Sequence, residues 1–338
     1  MSQRKLPLIG LLALIICALP TISSADVNVY SYRQPFLIEP VFDAFTTETG
    51  IKVNTVFAKK GLVERLKNEG RNSPADLLLT TDSGPLYQAV DQGLTQALSN
   101  DALEQNIPEE FRDPEGHWFG LTSRARLIVV SKDRVDPAAI KDYEDLTKPE
   151  FAQQVCTRSG KHTYMVALTA SIIAHHGIDA ATVWMDGVKN NRARKPQGND
   201  RAQVKAITQG ECDIAIINSY YMGQMLADDE QIPWAESVNV IFPNQTNRGT
   251  HMNISGASLT TGAPNRDDAI KLLEFMSSDT AQSIYANTNH EYPVKADVAP
   301  SALVQSWGDF TGDTLPLAEI AKHRANAVKL ADKVGYDQ

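Results

Sequence analysis

Residues 212–223 read CDIAIINSYYMG, an apolar run that ends in two adjacent tyrosines. The run CDIAIIN is short and rich in β-branched side chains, which is typical of a buried strand in a parallel sheet. If a helix begins near Ser219, the rings of Tyr220 and Tyr221 both project from the tip of that strand. Ligands bind at such strand-to-helix turns in α/β sheets. The stretch therefore predicts an α/β fold with a site at this tip; the alternative is that both rings only pack in the core.

The rest of the chain repeats this alternation of strand and helix. Short β-branched runs such as ADLLLTT and ARLIVVS alternate with segments of 3.6-residue apolar period such as GLVERLKNEG and DDAIKLLEFMSS. This order is typical of mostly parallel α/β sheets. Because 338 residues exceed what one hydrophobic core usually serves, the chain is expected to form two lobes.

The order of the elements predicts where the lobes divide. We expect a signal peptide at 1–25, the first part of an N-lobe at 26–123, a C-lobe at 124–247, the second part of the N-lobe at 248–299, and C-terminal helices packing on the C-lobe at 300–338. Two strands would then cross between the lobes. Such a pair of strands acts as a hinge, and a cleft between two α/β lobes is a common ligand site.

The first residues have the three parts of a secretory signal. Arg4 and Lys5 precede an apolar run at residues 6–19, and Ser23-Ser24-Ala25 supplies small residues for a cleavage site. The apolar run is short for a membrane span. We therefore expect cleavage near Ala25 and export to the periplasm, with a retained N-terminal anchor as the alternative.

The composition excludes some classes of partner and reaction. The formal net charge is −9, and residues 1–25 carry two positive and no negative side chains, so the cleaved chain has a charge of −11. Such an acidic chain is not expected to bind nucleic acid. The sequence lacks the GxSxG, HExxH, GxxxxGKS/T and GxGxxG signatures, which indicates a binding protein rather than an enzyme.

Two cysteines remain after cleavage, and each lies beside a predicted strand. They are Cys156 in QQVCTRSG and Cys212 in GECDIAII. In an oxidising compartment such a pair favours a disulfide, while two buried thiols or a metal site are the alternatives. Cys156 precedes Tyr164 by the same offset as Cys212 precedes Tyr220. The equal offsets indicate neighbouring strands, with a disulfide at one end holding the tyrosine-bearing tips in register.

Three tyrosines at two strand tips would offer three phenol oxygens to a bound ion. Tyr164 follows RSGKHT, which joins the strand QVCTRS to the helix YMVALTASIIAHH. Ionising one phenol at pH 7 costs about 4 kcal/mol, and a strong Lewis acid can offset that cost. Three phenolates would neutralise a 3+ ion, whereas zinc and copper favour His and Cys. The residues therefore favour ferric iron.

The chain resembles a known family over essentially the whole of residues 26–338. The segments that carry the resemblance are NVYSYRQPFLIEPVF, ETGIKV, SPADLLLTTD, WFGLTSRAR, ARKPQGNDRAQVKAI, NSYYMG, FPNQTNRGTHMNISG and NHEYPV. They are similar to those of periplasmic ferric-ion-binding proteins, the substrate-binding components of iron-uptake ABC transporters. The resemblance implies a type II periplasmic-binding-protein fold, in which two hinged lobes close on Fe³⁺. It also implies a monomer that delivers iron to an inner-membrane ABC permease.

The resemblance assigns roles to individual residues. It implies that Tyr164, Tyr220 and Tyr221 are the metal ligands, together with a synergistic anion, often carbonate. Arg124 is the expected anion partner and Arg126 the second choice, for which an interlobe salt bridge is the alternative. A two-lobed carrier of a small anion or organic solute is the alternative function.

The sequence departs from the family pattern in the first lobe. Many relatives have His, or His followed by Tyr, where this chain has Gln34-Pro35. Proline offers no ligand, so Gln34 is expected to act as a weak neutral donor or as a hydrogen-bond partner in the anion or outer shell. Asp82 is the nearest match to a carboxylate ligand of some relatives, and a helix N-cap is its alternative role. The first lobe is therefore expected to contribute little direct ligation.

Overall fold

The computed structural model describes residues 26–338, so the predicted signal peptide at 1–25 lies outside the described residues. The strands are β1 (Val27–Ser31), β2 (Val53–Phe57), β3 (Leu77–Thr80), β4 (Phe119–Ser131), β5 (Val155–Cys156), β6 (Ile214–Asn218), β7 (Val238–Ile241), β8 (Met252–Leu259) and β9 (Tyr292–Pro293). The α-helices are α1 (Pro35–Thr49), α2 (Leu62–Glu69), α3 (Ser83–Asp91), α4 (Asp101–Asn106), α5 (Thr163–Asn190), α6 (Asp200–Thr208), α7 (Tyr220–Leu226), α8 (Ile232–Glu236), α9 (Arg266–Met276), α10 (Asp279–Asn289), α11 (Ala302–Gln305), α12 (Leu317–Lys322) and α13 (Arg324–Lys333).

One long strand joins the two halves of the sheet. β4 has 13 residues and all of them are buried. Its first half pairs antiparallel with β8, and its second half pairs antiparallel with β6 and β7. The strand order β2-β1-β3-β8-β4-β6-β5 therefore places β4 and β8 side by side where the chain crosses between the halves.

The first half of the sheet is covered on both faces. β1 pairs in parallel with β2 and β3, and β8 closes the set on the far side of β3. Val29 and Leu77 point to a core with Phe45 of α1, whereas Tyr30 and Leu78 point to the opposite core under α2. β3 lies between β1 and β8, and its burial on both faces explains why its sequence LLLT is a continuous apolar run, whereas β2 at the edge is largely exposed.

The second half of the sheet packs on α5, whose first turns are buried. The helical backbone is interrupted at Gly177, where φ is 82° and ψ is 167°, so two helical segments meet there and the predicted helix YMVALTASIIAHH ends just before it. Within residues 26–338, α5 is the one helix long and apolar enough to span a membrane. Its buried residues lie in the same core as Ile214 and Ile216 of β6, so it serves as a core helix.

β5 is shorter than the predicted strand QVCTRS. Only Val155 and Cys156 are in the sheet, because the following residues turn to other partners. The Arg158 guanidinium donates to Asp200, and the Ser159 hydroxyl donates to Asp337. The chain therefore leaves the sheet early and approaches the start of α5 through a loop.

The C-terminal helices contact both halves of the molecule. α12 and α13 pack on α5, and α12 also contacts α3. Arg324 of α13 lies 2.8 Å from an Asp82 carboxylate oxygen and donates to the Thr163 hydroxyl at 2.9 Å. The predicted boundary at 123/124 falls inside β4, and the exact lobe boundaries stay a prediction.

Cys156 and Cys212 form a disulfide, as the sequence predicted. β5 and β6 are parallel neighbours, with Cys156 opposite Ala215. The bridge thus links the two strands whose tips lead to Tyr164 and Tyr220. It lies in the core under β4, among Leu127, Val129 and Ile217.

We expect the double variant Cys156→Ser/Cys212→Ser to be less stable by about 2–4 kcal/mol, because the bridge closes a long loop in the unfolded chain. The two cysteines are 56 residues apart. Urea unfolding followed by circular dichroism measures the difference, with the unreduced wild type as reference. Equal free energies of unfolding for the two proteins would contradict a stabilising bridge.

Candidate metal centre

The structure brings the three predicted tyrosines together. Tyr220 and Tyr221 are the first residues of α7, directly after β6, and Tyr164 is the second residue of α5. The hydroxyl oxygens of Tyr164 and Tyr220 are 3.0 Å apart. The ring centroids of Tyr220 and Tyr221 are 4.4 Å apart. Two strand tips thus present three phenols at one place.

Ser219 fixes the turn between strand and helix. It has helical backbone angles, so the strand ends at Asn218 and the rings project beyond it. Its backbone N–H donates to the Ala125 carbonyl at 3.0 Å, and its hydroxyl accepts from the Ala125 N–H at 3.2 Å. These two bonds hold the tyrosine-bearing turn against β4.

The phenols face a cleft of about 410 Å³ that both halves of the molecule line. Tyr32, Gln34, Phe36 and Thr81 line it from the first half. Phe36 at the start of α1 lines the cleft and is 58% exposed, so its ring lies at the lip of the cleft.

Burial makes two of the phenols hard to ionise. Burial, followed by the neighbouring phenols Tyr164 and Tyr221, raises the pKa of Tyr220 well above its ordinary value, and Arg124 opposes this effect. Burial and Tyr164 likewise raise the pKa of Tyr221. Without a cation, both side chains are therefore neutral at pH 7.

Arg124 lies at the base of the cleft with neutral partners. Its guanidinium donates to the Ser255 hydroxyl at 3.0 Å and to the Thr81 carbonyl. Among the described residues, no carboxylate is within salt-bridge distance of it. An almost fully buried cation without an ion pair is suited to receive an anion, which fits the role expected for Arg124.

Arg126 does not line the cleft. Its Nη1 lies 2.8 Å from Asp200 Oδ2 and donates to Asn218 Oδ1 at 2.9 Å. Asp200 and Arg126 both belong to the predicted C-lobe, so this ion pair does not link the lobes. The pair fixes side chains behind the tyrosines.

Arg158 and His162 line the cleft and were not singled out from the sequence. Arg158 Nη1 lies 3.0 Å from Asp200 Oδ1, and its guanidinium is 5.2 Å from the centroid of the Tyr164 ring. Burial and the charge of Arg158 lower the pKa of His162 to about 4, so its ring is neutral at pH 7. Both residues belong to the stretch RSGKHTY that ends in Tyr164. Their closeness in sequence to this candidate ligand is the feature from which their place in the cleft could have been predicted.

The two first-lobe candidates have different surroundings. Gln34 lines the cleft and is exposed. Pro35 follows it as the first residue of α1, a position where the missing backbone N–H of proline has no cost because that N–H has no partner within the helix. Asp82 accepts from the Gly84 N–H at 2.8 Å as the N-cap of α3 and from Asn253 Nδ2 at 2.7 Å, and it pairs with Arg324. The N-cap role expected as its alternative is the one observed.

The base of the cleft carries more positive than negative charge. Arg33 pairs with the buried Glu291 and shares the Ser255 hydroxyl with Arg124. Arg126 and Arg158 share the single carboxylate of Asp200. At the base of the cleft and directly behind it, four guanidinium groups thus accompany two carboxylates, and this surplus of positive charge favours phenolate or a bound anion. In residues 26–338 no group of three or more His, Cys, Asp and Glu side chains is placed to hold a metal ion.

Comparison with known proteins shows which family the chain belongs to. Residues 72–307 match the bacterial extracellular solute-binding proteins. The chain belongs to this family. It is 42% identical over 314 residues to iron uptake protein A1 of Synechocystis sp., covering 92% of this chain and 87% of that protein. The expectation of a binding protein rather than an enzyme is thereby confirmed.

Solved structures have the same fold. The apo ferric ion-binding protein A of Pasteurella haemolytica superposes with a TM-score of 0.89 at 50% identity, covering 94% of this chain and 99% of that one. A Trichodesmium protein in complex with iron and citrate superposes with a TM-score of 0.87 at 41% identity, covering 92% and 99%. The predicted two-lobed type II periplasmic-binding-protein fold and the predicted resemblance are confirmed.

We expect Gly223→Ala to disturb the turn that carries Tyr220 and Tyr221. A Cβ atom at Gly223 would lie 2.3 Å from His290 Cγ, so either α7 or the His290 side chain must shift to relieve that contact. Overpacking of this kind costs about 1–3 kcal/mol. Urea unfolding gives the cost, and near-ultraviolet circular dichroism reports the altered packing of the paired tyrosine rings.

Gly210→Ala is the control for this variant. Gly210 has φ of 75° and open space around its Cβ position, so alanine there adds backbone strain without touching α7. We expect it to lower stability while the near-ultraviolet spectrum stays that of the wild type. A wild-type spectrum and stability for Gly223→Ala would contradict the tight packing of α7.

Proposed function

We propose that this protein binds Fe³⁺ in the cleft through the phenolate oxygens of Tyr164, Tyr220 and Tyr221. The observation that carries the proposal is the 3.0 Å separation of the Tyr164 and Tyr220 hydroxyl oxygens at the tips of two different strands. In an octahedral site with metal–oxygen bonds of about 2.0 Å, adjacent ligand oxygens lie about 2.8 Å apart. The two phenols are thus spaced as neighbouring ligands of one small ion.

The free energy needed to ionise the phenols favours a highly charged ion. Because the pKa values of Tyr220 and Tyr221 are raised, only a strong Lewis acid can displace their protons at neutral pH. Three phenolates neutralise a 3+ ion, and Fe²⁺ would compensate them less well. The names of the relatives support iron, since they are an iron uptake protein, a ferric ion-binding protein and a protein solved with iron and citrate.

An anion would complete the coordination of the metal. Three phenolates leave positions of an octahedral ion open, and carbonate is the proposed synergistic anion. Arg124 would bind it from the base of the cleft, with Arg158 as a second donor at the wall. Gln34 would add a hydrogen bond from the first lobe, and Arg126 would act behind the tyrosines rather than on the anion.

The proposed biological role is iron transport. After cleavage of residues 1–25, the protein would act as a periplasmic monomer that captures Fe³⁺ and delivers it to an inner-membrane ABC permease. Membership of the solute-binding family supports this role. A carrier of a small anion or organic solute remains the second candidate, and the positive surplus at the base of the cleft favours it.

We expect Tyr220→Phe and Tyr221→Phe each to lower the affinity for Fe³⁺ by about 100-fold or more, because the loss of a ligand should cost at least as much as the loss of an outer-shell partner. Competition with citrate measures the affinity. Tyr285→Phe is the control, since Tyr285 is a buried tyrosine whose hydroxyl has no protein partner and lies in the first-lobe core. Wild-type affinity in both ligand variants, with strong binding of an anion alone, would favour the second candidate function.

We expect the affinity for Fe³⁺ to fall as the pH is lowered. The pKa values of Tyr220 and Tyr221 lie above the ordinary value, so both phenols are protonated at neutral and acid pH, and iron must displace their protons. Up to about three protons leave for each ion bound, and the slope of log affinity against pH approaches that number. Tyr221→Phe should reduce the slope by about one, as measured by citrate competition corrected for the protonation of citrate.

A further inference from the structure

We propose that Asp200 is a positioning residue for the iron site, because its carboxylate ties the segments that carry Tyr164 and Tyr220 into one arrangement. This inference rests on the proposed function, since it concerns how these tyrosines are held for the metal. Asp200 does not line the cleft and does not contact the metal in this proposal. It acts through its neighbours.

The Asp200 carboxylate joins three separate segments of the chain. Asp200 is the first residue of α6 and is completely buried. Its Oδ2 atom accepts from Arg126 Nη1 on β4 at 2.8 Å and from the Asn218 backbone N–H on β6 at 2.8 Å. Its Oδ1 atom accepts from Arg158 Nη1, in the loop between β5 and α5, at 3.0 Å.

Each group that donates a hydrogen bond to Asp200 lies close to a proposed ligand, in sequence or in space. Asn218 is two residues before Tyr220, so its bond to Asp200 fixes the strand tip from which α7 begins. The guanidinium carbons of Arg158 and Arg126 lie 5.2 Å and 5.7 Å from the centroid of the Tyr164 ring. Cations at these distances are attracted to an aromatic ring. Arg124 is a third cation near this ring, at 6.0 Å, and it is not bonded to Asp200. Asp200 therefore sets the positions of two of the three cations that lie near the Tyr164 ring.

The position of Arg158 depends strongly on Asp200. Among the described residues, the one hydrogen bond of Arg158 goes to Asp200. If the carboxylate becomes neutral, two close guanidinium groups lose their common partner, and unpaired buried cations are unfavourable. Arg158 can turn toward the cleft, because its side chain is 12% exposed, whereas Arg126 at 2% cannot. The Tyr164 ring would then lose the nearest of the three guanidinium groups beside it, and we expect its hydroxyl to leave the position beside Tyr220.

A double-mutant cycle with Asp200→Asn and Tyr164→Phe tests this role. Asparagine keeps the volume and one acceptor for the Asn218 N–H while it removes the charge. We expect Asp200→Asn to lower Fe³⁺ affinity about tenfold or more when Tyr164 is present, and less than about threefold in the Tyr164→Phe background. Citrate competition gives the affinities. The iron–phenolate absorption per bound iron should fall in Asp200→Asn toward that of Tyr164→Phe.

Asp76→Asn is the matched control. Asp76 is also a completely buried carboxylate, and it accepts backbone N–H groups of Asn28 and Asn265 in the first lobe. We expect it to lower stability without changing Fe³⁺ affinity in either background. Arg126→Gln replaces Asp200→Asn in the cycle if the latter does not fold, and the same coupling is expected, because Arg126 pairs with Asp200 and does not line the cleft where the anion would bind.

The outcomes separate this inference from the proposed function. Equal loss of affinity on Asp200→Asn in both backgrounds would overturn the positioning role while leaving Tyr164 a ligand. Unchanged affinity in Tyr164→Phe would remove Tyr164 from the ligand set, and the positioning role would fall with it. A loss of Fe³⁺ affinity on Asp200→Asn that is confined to the background containing Tyr164 supports both the positioning role of Asp200 and Tyr164 as a ligand.

Discussion

The free energy needed to ionise buried phenols is the constraint on which the site depends. Tyr220 and Tyr221 lie where burial and neighbouring phenols favour the neutral form. Neutral phenols can lie close together at little electrostatic cost while no cation is bound. In the proposed function they would become a strongly anionic cage only when an ion displaces their protons. This coupling of metal charge to proton loss would give the cleft a preference for Fe³⁺ over weaker Lewis acids.

The scaffold keeps three phenols at one point by fixing two strand tips. β5 and β6 are neighbours, the Cys156–Cys212 disulfide links them, and Ser219 is bonded to β4. β4 continues into the first lobe beside β8, so the same strand that supports the tyrosines also presents Arg124 to the cleft. Movement of one lobe against the other about β4 and β8 would leave the tyrosine cluster intact. In the proposed function the first lobe would therefore close over the metal with little direct ligation.

Local patterns in the sequence were sufficient to predict an α/β fold and the grouping of the three tyrosines, whereas the type II periplasmic-binding-protein fold followed from the family resemblance. The run CDIAIIN before Tyr220 indicates a buried strand, and equal cysteine–tyrosine offsets indicate neighbouring strands, which the structure bears out. The supporting charges were harder to predict, because they depend on contacts between distant segments. Arg158 reaches Asp200 across 42 residues, and Arg324 reaches Asp82 from the C-terminal helices. No periodicity or spacing in the sequence encodes those pairings.

The visible absorption spectrum of the purified protein, recorded with and without Fe³⁺ and bicarbonate, tests the central claim most directly. Phenolate bound to ferric iron gives a ligand-to-metal charge-transfer band that histidine and carboxylate ligands do not reproduce. The account predicts a coloured protein that saturates at one equivalent of Fe³⁺ and bleaches when the iron is reduced. A protein that stays colourless with Fe³⁺ at neutral pH would contradict tyrosine ligation and return the tyrosines of NSYYMG to a packing role.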